Sequence, residues 1–164
     1  MAYRFDRLSV LIVEDTAPMK KLLVSVLTSL GVGNIYAAED GAHGFDLFCR
    51  NRPDIVITDW LMDPSSGLEL VEKIRTDKRS PNRMTPIIMM TGYSARPRIE
   101  NARDLGVTEF LAKPFSAADL ARRIAYVVDK PRDFVDSDEF FGPDRRRKKT
   151  EEYKGPKRRE EDYS

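Results

Sequence analysis

Up to about residue 129, short apolar runs alternate strictly with segments whose apolar residues return every three to four positions, and no other feature limits the fold as much. Ser9-Val10-Leu11-Ile12-Val13 reads as a buried strand bounded by Glu14-Asp15. Ala17 to Leu30 then carries Met19, Leu22, Leu23, Val26, Leu27 and Leu30 at helical spacing and stops at Gly31. Asn34 to Ala38, Asp54 to Thr58, Pro86 to Met90 and Thr108 to Ala112 read as four further strands. Gly41 to Arg50, Leu68 to Arg75, Ile99 to Leu105 and a last stretch, capped by Ser116 and running through Val128, read as four further helices. Such alternation implies a parallel sheet covered on both faces. The near-continuous apolar character of the first, third and fourth strands suits central positions.

A chain of 164 residues, 41% hydrophobic and 34% charged, accommodates one modest domain plus an appendage. The boundary is sharp: residues 1–130 form the domain, and 131–164 lose apolar periodicity. The tail has too few apolar residues to offset the entropy of ordering its backbone, which predicts intrinsic disorder. Cys49 lies in an amphipathic stretch and reads as a semi-buried thiol in a reducing compartment. The start carries Arg4, Asp6 and Arg7, and the apolar run from Leu8 to Val13 is too short for a leader or a membrane span, so a cytoplasmic protein is expected. A net charge of +1 gives no overall bias toward nucleic acid.

Ligands of open parallel sheets bind at the carboxyl ends of the strands. Those ends hold Glu14-Asp15, Asp59, Thr91 and Lys113. One acidic residue after a strand is ordinarily a cap or a turn. Three carboxylates, a hydroxyl and a lysine at one edge make a hard oxygen site beside a cation, suited to Mg²⁺ and a phosphoryl group. Without a divalent ion, the repulsion among the carboxylates is costly.

On these residues the chain resembles the receiver domains of two-component response regulators. The resemblance is carried by Glu14-Asp15, Asp59, Thr91-Gly92 and Lys113-Pro114-Phe115, and it spans about Leu8 to Val128. It implies a flavodoxin/CheY-like α/β fold, doubly wound, with strand order 2-1-3-4-5. It also implies that Asp59 accepts a phosphoryl group from a histidine kinase or phosphotransfer protein. Asp15, Asp59 and the Leu61 carbonyl would hold Mg²⁺, with Glu14 acting through water. Lys113 and Thr91 would contact phosphoryl oxygens, Gly92 would leave room for them, and Lys113-Pro114 is a candidate cis peptide. Phe110 matches the family's switch aromatic, while also reading as an ordinary strand aromatic. The loop after Asp59 departs from the family, which usually places proline directly after the position of Met62; here Asp63 intervenes before Pro64, although Gly67 keeps its place. His43, the only histidine, lies on the second helix and takes no catalytic role.

The tail repeats itself. Gly142-Pro143-Asp144-Arg145-Arg146-Arg147 is echoed by Gly155-Pro156-Lys157-Arg158-Arg159, and each copy is followed by acids and a tyrosine, Tyr153 and Tyr163. Most charge runs are solvated linker ends. A duplicated set of arginine, carboxylate and tyrosine instead suits a small two-fold guanine ligand. Arginine binds guanine O6 and N7 bidentately, typically discriminating by about 1–3 kcal/mol, and guanidinium and tyrosine planes stack on bases. Cyclic di-GMP has two guanines and two phosphates in near two-fold symmetry. The tail also resembles the arginine-rich extensions of bacterial CheY-like proteins that bind this messenger and then engage the flagellar motor. That resemblance places Asp144, Arg145, Arg146, Arg147, Tyr153, Arg158 and Arg159 at the nucleotide and a flagellar motor switch protein among the partners, with recruitment to the flagellated pole.

Two other readings stand beside this one. The first is a phosphorylation-controlled adaptor with an inert tail, whose partner binds a face including Arg96, Phe110 and Arg122. The second is a nucleic-acid binder, which the interspersed Glu151, Glu152, Glu160, Glu161 and Asp162 oppose by repelling a phosphate backbone. No DNA-binding module follows the domain, and no nucleophile–base pair suggests an enzyme beyond self-phosphorylation and dephosphorylation.

Overall fold

Every residue of Val10–Val13, Ile55–Asp59 and Ile87–Thr91 is buried, so these segments need packing partners on both faces and take the middle of a sheet. The computed structural model describes residues 5–60, 62, 66–92, 106–129, 134–136 and 141–143. Its main sheet is parallel, in the order β2 (Asn34–Ala38), β1 (Ser9–Val13), β3 (Ile55–Asp59), β4 (Ile87–Thr91), β5 (Glu109–Ala112). The half-exposed strands β2 and β5 take the edges.

Alternation along the strands splits the core in two. On one face Val10, Ile12, Ile57, Ile88 and Met90 pack with Leu23 and Leu27 of α1 (Ala17–Ser29) and with Leu120 and Ile124 of α4 (Ala117–Asp129). On the other face Leu11, Val13, Val56, Ile87 and Met89 meet Phe45 and Phe48 of α2 (Gly41–Asn51) and Leu70, Val71 and Ile74 of α3 (Gly67–Thr76). Gly44 lets α2 approach β1, since a Cβ there would stand 2.8 Å from Val13 Cγ2. Asp40 caps α2 through the His43 amide, Ser66 and Glu69 cap α3 reciprocally, and Ser116 and Asp119 do the same for α4.

Two strands end one residue later than the apolar runs suggest. Asp59 and Thr91 are themselves ladder residues, opposite Met90 and Ala112. The helix expected at Ile99 to Leu105 lies outside the described residues. Within the segment expected to lack order, β6 (Phe134–Asp136) pairs antiparallel with β7 (Phe141–Pro143), and β7 lies against α3. The sequence reason is local: Phe134-Val135 and Phe140-Phe141 are strand formers, but the two runs are too short to register as periodicity.

Candidate functional site

Three segments far apart in the chain deliver charge to one point on the carboxyl edge of the sheet. Glu14 and Asp15 follow β1, Asp59 ends β3 and Lys113 follows β5. Ligand atoms of Glu14, Asp15 and Asp59 all lie within 4.8 Å of one another. Lys113 Nζ stands 2.9 Å from Asp59 Oδ2 and 3.8 Å from Glu14 Oε1. The other Asp59 oxygen, Oδ1, accepts the Trp60 amide at 2.7 Å. Asp59 is thus gripped from both sides and exposes only 9% of its surface.

Glu14 is 1% exposed. Its Oε2 accepts from the Thr16 amide and hydroxyl, both at 3.0 Å. Among the described residues, its Oε1 is the only buried side-chain polar atom without a hydrogen bond. Burial pushes its pKa above the ordinary carboxylate range, and neighbouring Asp59 adds to the rise, while the Thr16 bonds partly oppose it. An orphaned buried carboxylate oxygen, two further carboxylates within reach and a single ammonium leave negative charge in excess. This donor set fits a hard divalent cation such as Mg²⁺.

Thr91 is buried at the end of β4, where its carbonyl accepts the Lys113 amide at 2.7 Å. The Lys113-Pro114 peptide is cis. Beside Thr91, a Cβ on Gly92 would meet no atom within 4 Å, so there is room at that corner. Gly67 is the opposite case: a Cβ there would come to 2.1 Å from the Asp59 carbonyl oxygen, so only glycine lets α3 start against the site. Phe110 is half-buried against the core layer of α2 and α3. Arg122 is exposed and paired with Asp119. His43 bonds Glu39 at 2.8 Å on α2. Cys49 is half-buried, and burial pushes its thiol pKa up. Leu61, Arg96, Asp144, Arg145, Arg146, Arg147, Tyr153, Arg158 and Arg159 lie outside the described residues.

The motif reading passes over two contributors. One is the Trp60 main-chain amide, which no residue type signals. The other is Thr16, which occupies the N-cap position of α1 but makes no side-chain cap bond there. Its hydroxyl orients Glu14 instead. A threonine two residues after a carboxylate at a strand end is the available, and weak, signal.

A family model described as the response regulator receiver domain matches residues 10–125. The chain is 33% identical over 122 residues to a chemotaxis protein CheY homolog of Campylobacter jejuni, covering 74% of this chain and 92% of that protein. It is 30% identical over 123 residues to chemotaxis protein CheY-3 of Vibrio cholerae, covering 75% and 93%. Among solved structures, Vibrio cholerae CheY4 superposes with a TM-score of 0.68 at 26% identity, over 73% of this chain and 98% of that one. The receiver domain of a Pseudomonas aeruginosa sensor histidine kinase, with magnesium coordinated in its active-site cleft, gives 0.68 at 27%, over 75% and 98%. No helix among the described residues is long and apolar enough to cross a membrane.

Proposed function

The chain belongs to the response regulator receiver family, and from there we propose a signalling adaptor with two inputs: a phosphoryl group on Asp59 and cyclic di-GMP on the C-terminal extension. The observation that carries the first input is Lys113 Nζ at 2.9 Å from Asp59, within a ring of carboxylates whose innermost oxygen lacks a hydrogen bond. An Asp59 carboxylate oxygen attacks phosphorus, the bond from phosphorus to the donor breaks, and the donor leaves with that electron pair, giving an acyl phosphate. Lys113 stays beside the added charge, and the buried Thr91 hydroxyl is the donor from β4. Asp15, Asp59 and the Leu61 carbonyl would hold Mg²⁺, with Glu14 acting through water, and the ion would supply electrostatic stabilisation of the transferring group. The donor is a histidine kinase or phosphotransfer protein.

The second input rests on the duplicated arginine, carboxylate and tyrosine sets. Arg145, Arg146, Arg147, Arg158 and Arg159 clamp guanine edges and phosphates, with Asp144 accepting from base N–H groups and Tyr153 stacking. Ordering such a segment typically costs about 2–5 kcal/mol, so the contacts form together or not at all. The chemotaxis relatives support a flagellar motor switch protein as the target. Calorimetric titration of cyclic di-GMP into the full chain and into a version ending at Val128 tests this arm. Binding only to the full chain, lost in Arg146→Ala with Arg159→Ala, is expected; unchanged affinity in the double variant contradicts the clamp.

A second reading, control by phosphorylation alone, is favoured by the family match lying wholly within residues 10–125. Under it, partner capture by the loaded protein is insensitive to deletion of the extension.

A further inference from the structure

Helix α3 is held at both ends by elements that carry the signalling chemistry. At its start the Gly67 amide donates to the Trp60 carbonyl at 2.9 Å, and Gly67 has no space for a side chain against the Asp59 carbonyl. At its other end Arg75, 1% exposed, spreads its guanidinium over main-chain carbonyls. Nε and Nη2 donate to Gly106 at 3.1 and 2.9 Å, and Nη1 donates to Arg83 and Thr85 at 2.6 and 2.8 Å. Gly106, at φ +109, opens the lead-in to β5, which carries Phe110 and ends beside Lys113. Helix α3 thus links the Asp59 backbone to the lead-in of β5.

The C-terminal hairpin also reaches this helix. Strands of three residues, paired Phe134 with Pro143, Val135 with Gly142 and Asp136 with Phe141, are at most marginal alone. Their stability has to come from what they lie on. β7 lies against α3, and Pro143 is buried. The next residues in the chain are Asp144-Arg145-Arg146-Arg147, so the first basic set directly follows, in sequence, the strand that lies against α3.

We propose that α3 is the docking surface for the chain's own C-terminal hairpin, and that this contact couples loading of Asp59 to the extension. The coupling half rests on the reading of Asp59 as phosphoryl acceptor. It is reciprocal: loading changes hairpin docking, and weakening the hairpin changes loading.

The test uses the full chain. Val135→Pro puts a proline at the centre of the short ladder, and Pro143→Asp puts a carboxylate at a buried position while leaving the other ladder residues intact. Hydrogen exchange of α3 amides is expected to rise several-fold in both variants while α1 is unchanged; unchanged α3 exchange overturns the docking. Mg²⁺ with beryllium fluoride then loads Asp59, read by fluorescence of Trp60, the single tryptophan. Apparent affinity is expected to differ between wild type and both variants by about fivefold or more. Equal affinities overturn the coupling. A wild type in which Trp60 never responds counts against the acceptor reading of Asp59 instead, and the exchange data still decide the docking.

Discussion

The carboxyl edge of the sheet and the basic extension both concentrate charge, and they do so by opposite means. At the edge, residues 14, 15, 59 and 113 come from three distant segments, and only the completed sheet brings them within a few ångströms. In the extension, Arg145, Arg146 and Arg147 are already neighbours in the chain. The first arrangement is organised when folding ends, so a ligand meets a fixed site. Under the proposed nucleotide reading, the second takes its binding geometry from the ligand and pays for order when it binds. Disturbing the packing beneath the sheet should therefore cost folding stability, whereas removing arginines from the extension should leave it nearly unchanged.

The largest effect is expected at Arg75. Arg75→Ala takes donors from the Gly106, Arg83 and Thr85 carbonyls and leaves a cavity, which should cost about 3–5 kcal/mol in denaturant unfolding. The guanidinium is a strained tenant, since burial already pushes its pKa down to about 9. Gly67→Ala comes next, at about 1–3 kcal/mol, because the added methyl meets the Asp59 main chain rather than a side chain that can swing away.

These two residues also show how far the sequence could be read. Gly67 was visible only through the family resemblance, as the glycine that keeps its place after the loop; the reason for it, the close approach to the Asp59 carbonyl, comes from the fold. Central and edge strands were visible because burial on both faces demands an uninterrupted apolar run. Arg75 was not visible. A basic residue at the end of a helical pattern normally reaches solvent, and only tertiary contact with the Gly106 turn reveals a buried bolt. The hairpin was missed for a related reason: its apolar residues come in pairs, too few to show a period, and its support comes from α3. Within the site, side-chain types announced Glu14, Asp15, Asp59 and Lys113, whereas the Trp60 amide could be placed only by the backbone.

A smaller effect comes from Glu14. Its folded pKa is raised, so the folded state holds more protons than the unfolded chain between the ordinary value of 4.5 and the raised one. Stability should fall as pH rises through that interval, as the buried carboxyl is forced to ionise. Mg²⁺ offsets the penalty, so the rise in Tm on adding Mg²⁺ should be larger near neutrality than near pH 4.5. A rise independent of pH would separate Glu14 from the cation site. Thr16→Ala should weaken Mg²⁺ binding a few-fold with little loss of helix stability, because the hydroxyl orients Glu14 and does not cap α1. The smallest effect is predicted for Arg146→Ala with Arg159→Ala, which should leave unfolding free energy within about 0.5 kcal/mol of wild type.

The most direct measurement is intact-mass and peptide analysis after incubation with a small phosphoryl donor and Mg²⁺. One phosphoryl group should appear, map to Asp59, and vanish in Asp59→Asn and without Mg²⁺. Uptake at another residue, or none in the wild type, would contradict the account.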